Sequence, residues 1–300
     1  MTAIEPPAGR RPCGDTAAHA PRHRSTARGV AVVSDGSALH HNGRPVTPES
    51  VGPLLRDDAT LIHDLTGLPV LALPVTAQDA PQLAARLAGL PDHVAAVFLT
   101  ETDPARARAA QHTLEQRGGP VVITDQDTTA IALAAATVTA LRHAGRTPTG
   151  SRVVIAGADT MPVLCPLLMA VGVGDIGSWR QADALDYPLH RIASTADVVI
   201  DLVAAAGHLA TAGGEDPSPV VLGADDPGYP WLALPGLLTA TVGSPRPWLD
   251  IDIHRSCVLA LAAATPPGAL LPESDPSLTN LVASAVIRTL KDHARPHPNS

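Results

Sequence analysis

Arg152-Val153-Val154-Ile155-Ala156-Gly157-Ala158-Asp159-Thr160-Met161 is the stretch whose reading decides the fold. Four apolar residues in a row, two of them valine, read as a buried strand. The glycine and acidic residue that follow read as a turn into a helix. In a chain of alternating strands and helices this is where a G-x-G-x-x-G dinucleotide turn sits. Its first glycine makes the tight turn, its second admits the pyrophosphate and its third lets helix and strand pack. Here those three positions are Ala156, Ala158 and Met161, and only the intervening Gly157 is glycine. Asp159 is expected to put a carboxylate at the helix N-terminus, where a phosphate would otherwise sit. The context predicts a nucleotide site formed around Gly157, Ala158 and Asp159, and the side chains argue against one.

The alternation extends in both directions. Strands are expected at 30–33, 69–74, 94–99 and 121–123, with helices over 51–65, 80–88, 105–117 and 130–144 between and after them. Gly145 to Gly150 has the composition of a connection. Beyond it the pattern repeats, with strands near 153–155, 176–179, 196–202 and 219–222, a helix over 164–171 and an amphipathic helix at 278–290. Strands alternating with helices imply parallel sheets covered on both faces. The expected class is therefore α/β in two units, the second a Rossmann-type sheet. The expected boundaries are a disordered tail over 1–27, an α/β domain over 28–145, a Rossmann-like domain over 146–265 and a helical segment over 266–300. Gly172-x-Gly174-x-x-Gly177 matches the glycine spacing, but it follows a helix and precedes a strand, so it reads as a turn.

Composition bounds the function. An apolar fraction of 45% supplies a core, and with aromatics at 2% that core must be Ala, Val and Leu. A net charge of −8 argues against nucleic acid as a partner. Cys13, Cys165 and Cys257 lack metal or disulfide spacing, and the latter two lie in apolar sequence as buried thiols. No uninterrupted run approaches the roughly 18 apolar residues of a membrane span. Arg10-Arg11 has no apolar run after it, so a cytoplasmic protein is expected.

The order of these pieces resembles the malic enzymes, the shorter bacterial type in particular. Val30 to Ser37 is similar to that family's early strand and Asp-Gly turn. Asp125-Gln126-Asp127-Thr128-Thr129-Ala130 resembles its Asp-Asp-Gln-His-Gly-Thr-Ala segment. Arg152 to Met161 falls at its nucleotide turn, and Tyr229 to Leu237 looks like its Leu-Ala-Phe-Pro-Gly segment. The likeness runs over roughly residues 28 to 290. It implies a two-domain malic-enzyme-like architecture, a small carboxylic acid as substrate, NAD(P), Mg²⁺ or Mn²⁺, and a homodimer.

The resemblance also marks departures. The family's acid–base tyrosine and lysine are missing from the matching positions. Tyr187 and Tyr229 both lie in the second half, and the only lysine of the chain is Lys291. The lysine would fall within Arg56 to Gly67, which offers Asp57, Asp58, His63 and Asp64 instead. For the metal, Asp125 matches one carboxylate ligand; Glu101 matches a second if the strand is aligned, whereas aligning Pro104 puts Leu99-Thr100 there and leaves none. Two carboxylates would suit a hard cation at low affinity. The acidic residue after the second Rossmann strand is replaced near Trp179, and Asp226 puts a charge where the family has an amide.

Each candidate also has a structural reading. Asp125 and Asp127 follow a strand and could cap the next helix. His63 could be a base beside Asp64 or an exposed helix residue. His40-His41 lacks a third ligand at metal spacing and reads as a surface loop. Three functions follow. The first is a repurposed enzyme, for example a metal-assisted decarboxylase, with Asp125 and Glu101 holding the metal and Asp127 or His63 moving the proton. The second is a non-catalytic binder of a partner or metabolite. The third is a conventional NAD(P)-dependent malate oxidoreductase.

Overall fold

The computed structural model describes residues 28–41, 44–45, 48–205, 219–226, 228–244 and 248–294. The tail expected over 1–27, with Cys13, lies outside them. The first half runs β1 (Gly29–Ser34), a small hairpin of β2 (His40–His41) and β3 (Arg44–Pro45), α1 (Pro48–Thr66), β4 (Val70–Pro74), α2 (Ala80–Ala88), β5 (Val94–Leu99), α3 (Pro104–Arg117), β6 (Val121–Thr124) and α4 (Asp125–His143). The second half runs β7 (Arg152–Ala156), α5 (Leu164–Ala170), β8 (Asp175–Trp179), α6 (Leu189–Ala193), β9 (Val198–Asp201), β10 (Val220–Gly223), α7 (Tyr229–Gly243), α8 (Ile251–Ala264) and α9 (Pro276–His293).

Two parallel four-stranded sheets result, ordered β4-β1-β5-β6 and β10-β9-β7-β8. Leaving out the hairpin and counting within each half, both orders are 2-1-3-4. In such sheets the chain moves first to one side of the opening strand and then to the other. A crevice therefore opens at the strands' C-terminal ends, beside β1 and β5 in one sheet and beside β7 and β9 in the other.

Strand alternation decides which layer each residue joins. In the first sheet Ala31, Val33, Val97 and Leu99 face α2 and α3, where Leu83, Leu87, Ala110 and Leu114 complete one core. Val30, Val32, Ala96 and Phe98 face the other way, into a larger core. Val153, Ile155, Val198 and Ile200 of the second sheet enter that same larger core. Its middle is a helical layer in which α4 packs on α7 and α8, and α9 packs on both of those. Val154, Ala156, Trp179 and Val199 form a third, smaller core with Leu189 and Ala193 of α6.

Two differences from the sequence expectation matter. The Ala-rich helix begins at Asp125, five residues before the expected Ala130, because Thr124 caps it. The segment from Tyr229 is a helix that carries Pro235 internally and returns to pack on β1 and β5. Its apolar residues lie on every side, so it carries no period-3.6 pattern. The glycines after α5 form the expected turn, and a side chain at Gly174 would meet the Thr149 carbonyl. Among the described residues no helix is long and apolar enough to cross a membrane.

Candidate active site

The C-terminal edge of the first sheet is tied together by its turns. Asp35, almost fully buried, holds Arg106 through an ion pair of 2.6 Å, and its other oxygen accepts from the Ser37 backbone N–H at 3.0 Å. The Ser37 hydroxyl in turn accepts from the Asp103 N–H at 2.7 Å. Two further bonds reach the Glu101 carbonyl, from the Ser34 hydroxyl at 3.2 Å and the Ala38 N–H at 3.3 Å. These contacts hold Glu101 in the left-handed region, φ 48°. A non-glycine residue there costs on the order of 1–2 kcal/mol, which neighbouring contacts must offset.

That constrained turn brings Glu101 to Asp125, the first residue of α4. The Asp125 carboxylate accepts from the Gln126 N–H at 2.8 Å and from the Glu101 N–H. Burial nonetheless raises its pKa from 3.8 to about 6, aided by the nearby charges of Glu101 and Asp127. Burial also raises Glu101. A third carboxylate joins them: burial pushes Asp58 of α1 up to about 6, with Glu101 and Asp57 adding to the shift. Glu101 thus lies within electrostatic reach of both Asp58 and Asp125, all three partly buried.

The expected pair Glu101 and Asp125 is brought together. Asp58 was visible only as one acid in the segment lacking a lysine. The overlooked signal is periodicity: Val51, Leu55 and Ile62 form the buried stripe of α1, and Asp58 occupies its i+7 position. A carboxylate therefore stands on the inward face of the segment where the resemblance calls for a cation.

Asp127 and His63, the expected proton carriers, have other roles. Asp127 completes a capping box with Thr124. Its Oδ2 accepts from the Thr124 N–H, the Thr124 hydroxyl and the Gln111 amide, each at 2.9 Å. His63 is exposed near the end of α1, with Nδ1 bonded to the Leu68 carbonyl at 2.8 Å. The histidines at 40 and 41 fall in the β2–β3 hairpin.

The second sheet ends differently. Gly157 has φ 83°, and a side chain there would collide with Val203 after β9. The glycine thus serves the approach of protein to protein. Ala158, Asp159 and Thr160 form a single 3-10 turn, and α5 starts only at Leu164, without a side-chain cap. Asp159 is an exposed turn residue, so the expectation that it lies at the helix N-terminus is corrected: five residues separate it from that end. The N–H groups of Val203 and Ala205 are occupied by the Asp201 carboxylate at 3.1 and 2.9 Å.

No protein-family model matches the chain. A 145-residue stretch is 30% identical to the NADP-dependent malic enzyme of Halomonas elongata, covering 48% of this chain and 34% of that one. The matched stretch therefore spans about a third of that relative's length. Among solved structures, the NAD-dependent malic enzyme of Thermotoga maritima superposes with a TM-score of 0.74 at 17% identity, covering 88% of this chain and 85% of that one. The malic enzyme of Pyrococcus horikoshii gives 0.74 at 15% identity, covering 91% and 78%. That of Entamoeba histolytica gives 0.72 at 17%, covering 89% and 70%. The chain is malic-enzyme-like: it has the fold of these enzymes with a divergent sequence.

Proposed function

We propose that this malic-enzyme-like chain is a metal-dependent enzyme acting on a small carboxylic acid, with nicotinamide-dependent hydride transfer lost. The observation that carries the reading is that Glu101, at the C-terminal edge of the first sheet, lies within electrostatic reach of both Asp125 and Asp58. Carboxylate oxygens are the donors that Mg²⁺ or Mn²⁺ takes. The Glu101 charge raises the pKa of both Asp58 and Asp125, so a cation beside Glu101 would relieve that repulsion. Glu101 and Asp125 are the assigned ligands, since one turn and one helix end fix both. Such a cation supplies polarisation of a substrate carbonyl.

The residues suit decarboxylation of a β-keto acid. The bond to the departing CO₂ breaks, its electron pair moves onto the polarised carbonyl, and the resulting enolate needs a proton on carbon. Asp58, whose pKa burial raises, is the acid assigned to deliver that proton. It replaces Asp127, whose Oδ2 is committed to the cap, and His63, whose Nδ1 is committed to a carbonyl. The β7 turn does not fit a dinucleotide. Gly157 is closed against Val203, and no α-helix begins at the turn.

Calorimetric titration with Mn²⁺, followed by oxaloacetate turnover with and without the metal, tests the reading. Expected are Mn²⁺ binding, metal-dependent loss of oxaloacetate above the metal-only rate, and its disappearance in Asp125→Ala. Full activity in Asp125→Ala would overturn it. Mn²⁺ binding without turnover would favour the non-catalytic binder. Malate-dependent reduction of NAD⁺ or NADP⁺ would restore the conventional oxidoreductase.

A further inference from the structure

A cavity lies between α3 and the start of α4 on one side and the first turns of α8 on the other. Its volume is about 320 Å³, room for a small metabolite. Arg108, Gln111 and Glu115 line it from one face of α3, at i, i+3 and i+7. At 1.5 Å per residue the Cα atoms of Arg108 and Glu115 lie roughly 10 Å apart along the helix. A positive and a negative charge thus stand at opposite ends of the α3 wall. Arg108 gives one N–H to the Gln126 side chain at 2.6 Å, and its other donors have no partner among the described residues. Glu115, its side chain 52% exposed, pairs with the exposed His112 at 3.7 Å and also feels the charges of Asp127 and His254; partial burial raises its pKa. The other acids of the lining are engaged. Asp127 accepts three bonds, while Asp250 caps α8 and accepts from the Trp248 indole at 3.0 Å.

The opposite wall carries His254. Its residue exposure is 6%, and its Nε2 is sealed from solvent with no hydrogen-bond partner. A buried polar atom left unpaired is unfavourable, and an apolar side chain would avoid that penalty. Its neighbours on the buried side of α8, Ile253, Cys257, Val258 and Leu261, are apolar. The imidazole is therefore the polar exception on that face, and it borders the cavity.

We propose that this cavity binds a small zwitterion of the ω-amino acid class. Arg108 takes the carboxylate and Glu115 takes the ammonium several carbons away. The Arg108 partner Gln126 also donates to the Thr160 carbonyl at 2.8 Å, so an occupant would sit against a side chain that ties α4 to the β7 turn.

Calorimetry and thermal-shift assays with 4-aminobutanoate, 5-aminopentanoate and 6-aminohexanoate test this, with alanine, hexanoate and hexylammonium as controls. The longer ω-amino acids are expected to bind and raise the melting temperature, and each single-charge control to bind about tenfold more weakly or worse. Arg108→Gln and Glu115→Gln should each weaken binding by about tenfold or more without lowering the ligand-free melting temperature. His254→Leu should leave ligand-free stability equal or higher. Absence of binding by any of the three ω-amino acids would overturn the proposal. Equal affinity for hexanoate or hexylammonium would overturn it, as would unchanged affinity in Arg108→Gln and Glu115→Gln.

Discussion

The two sheets share one strand order and differ at the edge where such sheets carry their chemistry. After β1, β5 and β6 the backbone is bent into a strained turn at Glu101, and three carboxylates are partly buried at a cost to the fold. After β7 and β9 the turns close on each other, with Gly157 against Val203 and the Asp201 carboxylate on the following N–H groups. The first edge has polar groups whose arrangement lowers stability. The second has spent its polar groups and its glycine on packing. Stability measurements can therefore separate a site from a scaffold without knowledge of a substrate.

Gly157→Ala should give the largest effect. It adds a methyl that meets Val203 at a left-handed φ, and a loss of roughly 2–4 kcal/mol is expected in chemical denaturation. Asp159→Ala, two residues on and exposed, should change stability by less than about 0.5 kcal/mol. Comparable effects at the two positions would break the account of this turn as packing.

Asp125→Asn should act in the opposite direction. The folded-state pKa of Asp125 is about 6 against an ordinary 3.8, so ionisation penalises the folded state. The penalty is absent below about pH 4 and full above about pH 6. It is worth on the order of 3 kcal/mol at one unit per 1.4 kcal/mol. Ligand-free protein should therefore gain stability as the pH falls from 7 toward 5, and Asp125→Asn should remove much of that dependence. A flat profile in the parent protein would contradict this arrangement of acids. Asp58→Asn should do the same more weakly, because solvent screens its half-exposed carboxylate.

Mn²⁺ gives the smallest and sharpest discrimination. It should stabilise the protein more at pH 7.5 than at pH 5, since protons compete for the same oxygens. Hydrogen exchange should then show protection after β1, β5 and β6. NAD⁺ should leave the turn after β7 unprotected.

Periodicity and composition made the strands of both halves legible, because parallel strands buried on two faces appear as short apolar runs. The pairing of Glu101 with Asp125 is legible only through the family resemblance, which matches both to metal-ligand positions. Asp58 is hidden in the sequence because residue type alone does not show that it lies on the apolar stripe of α1. The early start of α4 went unread because Asp125 and Asp127 look like loop residues until Thr124 is recognised as the cap. Helix α7 has no polar face to reveal its period. His254 is one imidazole in an apolar helix, and only the fold shows that its Nε2 has no partner.

The return of α7 to the first sheet sets the order in which this protein can mature on a ribosome. Val32 and Phe98 share their core with Leu234 and Leu237 of α7 and Val282 of α9. When residue 145 has just been made, α2 and α3 can already cover one face of that sheet, but part of the cover for the other has not been synthesised. The nascent first half therefore presents a wet apolar surface while more than a hundred further residues are translated. It depends on its last helices, or on a chaperone in their place, to stay out of contact with neighbouring chains.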